Sequence, residues 1–157
     1  MSNEANASRP LIGRESTAVP GHFGEPLSVE YSVTSRGGFD QHPTHPLFLC
    51  LHGWGSSEED MAGIMRLIAP YNDFVALRGP LALAKAPERS EMPGNYAWLH
   101  DALPVGDDLD YDAYAAATAV DRWVAANIPA DRDVVPLGFS QGGLVAVHLL
   151  RINPERY

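Results

Sequence analysis

The sequence predicts an α/β fold: a mostly parallel sheet with helices on both faces. Three observations predict it. Segments of strand and helix character alternate along the chain, which builds parallel strands through helical crossovers. The run Leu47 to Leu51 (LFLCL) is continuously apolar, as a strand buried on both faces requires. Last, Gly138-Phe139-Ser140-Gln141-Gly142 separates a buried strand, Asp133 to Phe139 (DVVPLGF), from a helix, Gln141 to Ile152 (QGGLVAVHLLRI).

Residues 1–25 are polar and rich in Ser, Gly and Pro, which predicts a loose or irregular N-terminal arm. Val29 to Thr34 (VEYSVT) alternates and suits an outer strand. After the turn-rich stretch Ser35 to Pro46 comes the Leu47 run. Ser56-Ser57-Glu58-Glu59-Asp60 then opens a helix, because serine caps the free N–H groups and acids complement the positive dipole end. The helix reaches about Ala69 and presents Met61, Ile64, Met65 and Ile68 on one face. Asp73 to Leu77 (DFVAL) is the next strand. Residues 78–107 carry Pro80, Pro87, Pro93, Pro104, Gly79, Gly94 and Gly106, a long irregular excursion of the kind that walls binding sites. Asp108 to Ile128 is a helix with the stripe Ala113, Ala117, Val120, Val124, Ile128. Asn153-Pro154 ends the last helix. Residues 26–157 thus read as part of a single domain.

Bulk properties exclude several classes. A length of 157 residues allows one domain with a sizeable core. A formal charge of −9 disfavours nucleic acid, whose phosphates need Lys and Arg, and anionic membrane surfaces. No apolar run is long enough to span a membrane and the start lacks a secretory signal pattern, so the chain reads as cytoplasmic. Cys50, the single cysteine, lies in an apolar strand and reads as a buried structural thiol. Composition leaves the oligomeric state open.

Gly-x-Ser-x-Gly alone recurs by chance in roughly 5% of chains this long, at residue frequencies near 7%. Its setting between strand and helix gives it weight, since that is where a nucleophile elbow holds its serine. Serine hydrolysis needs a nucleophile, a base, an acid to orient the base, and N–H donors for the oxyanion. Ser140 supplies the first. His52-Gly53-Trp54-Gly55 follows the buried strand directly, and in serine hydrolases of this architecture one oxyanion donor comes from such a loop and the other from the residue after the nucleophile. The candidates are the backbone N–H groups of Trp54 and Gln141.

Leu51-His52-Gly53-Trp54-Gly55 with Asp60, Arg78-Gly79-Pro80, Gly94-Asn95-Tyr96-Ala97-Trp98-Leu99, and Gly138 to Gly143 stand in an order and spacing that resemble the phospholipase/carboxylesterase family of α/β hydrolases, which includes acyl-protein thioesterases and bacterial carboxylesterases. The resemblance spans roughly residues 45–157. It implies an α/β-hydrolase fold truncated at the C-terminus, a small-molecule ester or thioester substrate, no cofactor, and no metal. It makes Ser140 the nucleophile and Trp54 and Gln141 the oxyanion hole, and it lines the acyl pocket with Tyr96 and Trp98.

Two departures stand out. Pro136 lies inside the elbow strand, and proline is unusual in a central strand. The acid and histidine of this fold follow the serine in chain order, yet only His148 and Glu155 do so here, and His148 sits in a helix leading away from the turn. The chain is therefore expected to be a fragment, inactive alone. The other histidines are not replacements: His22 lies in the arm, His42 and His45 in a proline-broken loop, and His52 in the oxyanion loop. His100-Asp101 is an adjacent base–acid pair that violates the order. The run Asp107, Asp108, Asp110, Asp112 reads as a helix N-terminus rather than a cation site. A noncatalytic remnant that binds acyl-type ligands or a partner protein is the alternative.

Overall fold

A computed structural model describes residues 27–83 and 95–157; the predicted arm and His22, Pro87, Pro93 and Gly94 lie outside them. The elements are β1 (Ser32–Thr34), β2 (Leu47–Leu51), α1 (Glu58–Ile68), β3 (Phe74–Leu77), β4 (Leu81–Ala82), β5 (Tyr96–Ala97), α2 (Gly106–Asn127), β6 (Val134–Gly138) and α3 (Gln141–Ile152). Four strands form one sheet in the order β1-β3-β2-β6, with β2 parallel to both neighbours and β1 antiparallel on the edge. β4 and β5 make a separate two-stranded ladder within the excursion.

Period-two alternation sorts the strand residues between two cores. Leu47, Leu49, Leu51, Val75 and Leu77 pack with α2 and α3 residues such as Ala113, Val120, Val124, Val145 and Leu149. Cys50, Phe74 and Ala76 pack on the other face with Met61, Ala62 and Met65 of α1. Both faces of β2 and β3 are covered, hence their unbroken apolar sequences. The Cys50 thiol is buried and its pKa is pushed up to about 12 by that burial.

Three expectations need correction. β1 covers Ser32–Thr34 rather than starting at Val29, because its ladder ends with Leu77, the last residue of the short β3. The buried stripe of α1 is Glu58, Met61, Ala62 and Met65; Ile64 and Ile68 are exposed. An acid holds the first position of that stripe because it meets Arg78, so a reading that followed apolar residues alone turned the helix too far. Finally, Pro136 sits in register with Leu49, but β6 is a sheet edge among the described residues. Leu47 N–H donates to Asp133 O (2.8 Å) and Phe139 N–H to Leu51 O (3.0 Å). Odd-numbered residues of β6 therefore bond β2, and Pro136 lacks its N–H on the opposite side.

Candidate active site

The site gathers at the carboxyl ends of β3, β2 and β6, where open α/β sheets hold their ligands. Ser140 follows β6 at the N-terminus of α3, with φ 53° and ψ −119°. It is the one non-glycine with positive φ among the described residues, and such a conformation costs about 1–3 kcal/mol. The turn is tight enough to exclude side chains on either flank. A Cβ on Gly138 would lie 2.1 Å from Gly142 O, and one on Gly142 would lie 2.0 Å from Leu51 O. Gly142 N–H donates back to Phe139 O (2.9 Å), closing the turn. The Ser140 residue is exposed, and no side chain among the described residues hydrogen-bonds its hydroxyl.

The His52–Gly55 loop runs beside it. A Cβ on Gly53 would lie 3.3 Å from Ser140 Cβ. The loop then enters α1, where Asp60 at the third helical position accepts from Ser57 N–H (3.1 Å) and Ser56 Oγ–H (2.7 Å). The N–H groups of Trp54, in the loop beside Ser140, and of Gln141, directly after it, take part in none of the hydrogen bonds between described residues.

The 96–101 segment is stapled to both. Trp98 Nε1–H donates to His52 O (2.9 Å), and its ring lies against the His52 imidazole with centroids 5.4 Å apart. The Gln141 side chain accepts from Trp98 N–H and Leu99 N–H (3.3 Å each) and donates to Asp101 O (2.8 Å). Nothing in the local sequence signalled this second use of Gln141. Trp98 is 0% exposed and braces the two loops from within the core. Tyr96 does line a cavity, of about 470 Å3, together with Tyr31, Arg78, Gly79 and Pro80. That cavity opens at the end of β3, and neither Ser140 nor Trp98 borders it.

Arg78 anchors this side. Its Nε donates to both oxygens of Glu58 (3.0 and 2.9 Å), and its guanidinium lies between the rings of Tyr31 (4.3 Å) and Tyr96 (4.4 Å). Burial pushes the Glu58 carboxyl up, but the hydrogen bonds from Arg78 outweigh it and leave the pKa below the ordinary value. The Arg-Gly-Pro stretch was visible in the sequence; its partner 20 residues upstream was not.

The remaining titratable candidates have other surroundings. His100 pairs with Asp112 rather than with Asp101: Asp112 Oδ2 lies 3.1 Å from His100 Nδ1 and accepts His100 N–H at 2.9 Å. His148 is buried in α3, and burial holds its pKa below the ordinary value. His42 and His45 stack at 5.5 Å, with His42 bound to Asp73. No group of three His, Cys, Asp or Glu side chains suited to a metal ion occurs among the described residues, and no helix there is long and apolar enough to cross a membrane.

Residues 39–157 match the sequence profile of a family described as Phospholipase/Carboxylesterase. Among solved structures, a Bacillus cereus carboxylesterase is similar at 22% identity and a TM-score of 0.49, over 76% of this chain and 52% of that one. The esterase PE8 is similar at 24% identity and a TM-score of 0.48, over 78% and 56%. The chain thus spans little more than half the length of either. No curated protein matches it.

Proposed function

The chain belongs to the phospholipase/carboxylesterase family, and from that premise we propose that it carries the nucleophile half of a carboxylic ester or thioester hydrolase. The single observation that carries the reading is the positive-φ turn at Ser140; the unbonded N–H groups of Trp54 and Gln141 support it. Such strain persists only where surrounding structure over-determines it, and it gathers at reactive sites.

In this proposal Ser140 Oγ attacks the carbonyl carbon and its proton passes to a general base. The carbonyl oxygen becomes an oxyanion held by Trp54 N–H and Gln141 N–H, which need no reorganisation because they are already disengaged. The C–O or C–S bond breaks and the leaving group takes up the proton. Water then hydrolyses the acyl-enzyme by the reverse sequence of proton transfers. Tyr96 and Trp98, the residues proposed to line the acyl pocket, lie on the 96–101 segment that hydrogen-bonds the His52 loop and the Gln141 side chain.

The base is not His148, which is buried in α3, nor is Glu155 a histidine's substitute. In this fold the acid and histidine follow the serine. We therefore read residues 26–157 as the N-terminal portion of one α/β-hydrolase domain whose base is supplied by the whole protein. The unpartnered Ser140 hydroxyl also fits a second reading, a noncatalytic remnant that binds acyl groups or a partner.

A p-nitrophenyl ester assay separates them. The whole protein turns the ester over and Ser140→Ala abolishes the turnover, a loss of about 10⁴-fold or more. The 157-residue chain alone stays near background, because serine without a base is a weak nucleophile at pH 7. Turnover by the whole protein that survives Ser140→Ala would overturn the hydrolase reading.

A further inference from the structure

His52 is fully buried, and its ring bridges two loops through backbone groups alone. Gly79 N–H is 2.8 Å from Nε2, so Nε2 is the acceptor. Gly53 O is 2.7 Å from Nδ1, so Nδ1 carries the proton. Both partners have fixed roles, and together they leave one neutral tautomer.

Gly53 O belongs to the same trans peptide as Trp54 N–H, since no cis bond occurs among the described residues. In a planar trans peptide the carbonyl and the N–H point in opposite directions. A grip on the Gly53 carbonyl therefore also sets the direction of the Trp54 N–H. The grip matters because glycine on the N-terminal side of that peptide leaves it free to rotate. The only other hydrogen bond to Gly53 O among the described residues, from Ser56 N–H, is longer at 3.3 Å. The peptide before it is fixed independently by Trp98 Nε1–H on His52 O. Gly53 itself abuts Ser140: a Cβ there would lie 3.3 Å from Ser140 Cβ.

We propose that His52 is a positioning residue: a relay from Gly79 N–H through the neutral imidazole to the Gly53 carbonyl aims the Trp54 N–H at the oxyanion formed on Ser140. The inference rests on the hydrolase reading above and adds a part to it. His52 touches neither substrate nor the serine hydroxyl. It acts on the transition state alone, because the donor it aims meets charge that exists only there.

Two amides separate the two ring nitrogens. In the whole protein, His52→Asn places an amide N–H near the Nδ1 position and keeps the grip on Gly53. His52→Gln places its amide near Nε2, keeping the bond to Gly79 and losing the grip. His52→Gln should lower kcat about 10²-fold, as removal of one oxyanion donor does, with KM unchanged. His52→Asn should rescue kcat to within about tenfold of the unmutated enzyme while losing comparable thermal stability. Equal losses of kcat in both variants, or a change confined to KM, would overturn the relay while leaving Ser140-dependent hydrolysis standing. If Ser140→Ala leaves turnover intact in the unmutated protein, the hydrolase reading fails first and the relay falls with it. A second measurement needs neither turnover nor a folded variant. Nitrogen-15 NMR of the His52 ring at pH 7 should show a neutral imidazole protonated at Nδ1; an Nε2–H tautomer or an imidazolium would overturn the relay.

Discussion

The two ends of the same three strands are built on opposite principles. At the amino ends of β2, β3 and β6, polar groups answer one another. Asp73 precedes β3 and accepts from His42 N–H (2.7 Å), His42 Nδ1 (3.1 Å) and Arg132 (3.1 Å); Arg132 precedes β6 and also donates to His45 O (2.8 Å), ahead of β2. Arg156 closes the cluster by donating to Arg132 O. At the carboxyl ends, a serine is held at positive φ, two N–H groups are left disengaged, and Phe139 and Trp54 are exposed at 66% and 37%. The difference separates the end where this fold is tied together from the end where the proposed chemistry sits. Strain and unused donors at one end persist because the core and the other end hold the strands in register.

The largest effect should come from breaking the amino end. Asp73→Ala leaves the buried Arg132 without its carboxylate and should cost about 3–5 kcal/mol, read as a drop in denaturant midpoint, while Ser140 reactivity in the protein that remains folded is unchanged. A pH titration sharpens the same point. Burial pushes the Asp73 carboxyl up, but the bonds from His42 and Arg132 outweigh it and hold its pKa below 3.8. Its contribution is therefore intact above about pH 4 and is lost as pH falls through the folded-state value, because the unfolded chain takes up the proton first. Asp73→Asn should flatten that part of the stability profile; an unchanged profile would place the acid sensitivity elsewhere.

A smaller effect of opposite sign should come from the carboxyl end. Ser140→Gly relieves the positive φ and should raise stability by about 1 kcal/mol while removing the proposed nucleophile, since glycine adopts this conformation without the Cβ penalty. Net destabilisation by Ser140→Gly would mean that the turn is not strained. The smallest effect belongs to Pro136, whose missing N–H faces the side of β6 without a neighbour among the described residues. Pro136→Val in the 157-residue chain should shift stability by less than about 0.5 kcal/mol.

Legibility divides along the same line of physics. The elbow could be read from sequence because steric exclusion leaves a compositional mark: only glycine fits where a Cβ would strike backbone 2 Å away, as at Gly138 and Gly142. The buried strands could be read because burial on two faces demands unbroken apolar runs. The braces could not. Arg78 finds Glu58 at a separation of 20 residues, Gly79 finds His52 at 27, and Trp98 finds His52 at 46. Such pairs obey no period, and their residue types fit other roles equally well. Trp98 is buried in the core, which its residue type alone does not say; His100 had an acid beside it in sequence and uses another 12 residues away. The separation of a paired amino end from an unpaired carboxyl end emerges only when the three loops meet.

On the proposed reading, Ser140 and the N–H groups of Trp54 and Gln141 form one reactive centre. A crystal structure of the whole protein after reaction with a fluorophosphonate tests it directly, since the phosphonyl oxygen stands in for the oxyanion. The adduct should sit on Ser140 Oγ, with that oxygen about 2.7–3.1 Å from both nitrogens. A label on another residue, or a phosphonyl oxygen turned to solvent with either N–H bonded elsewhere, would contradict it.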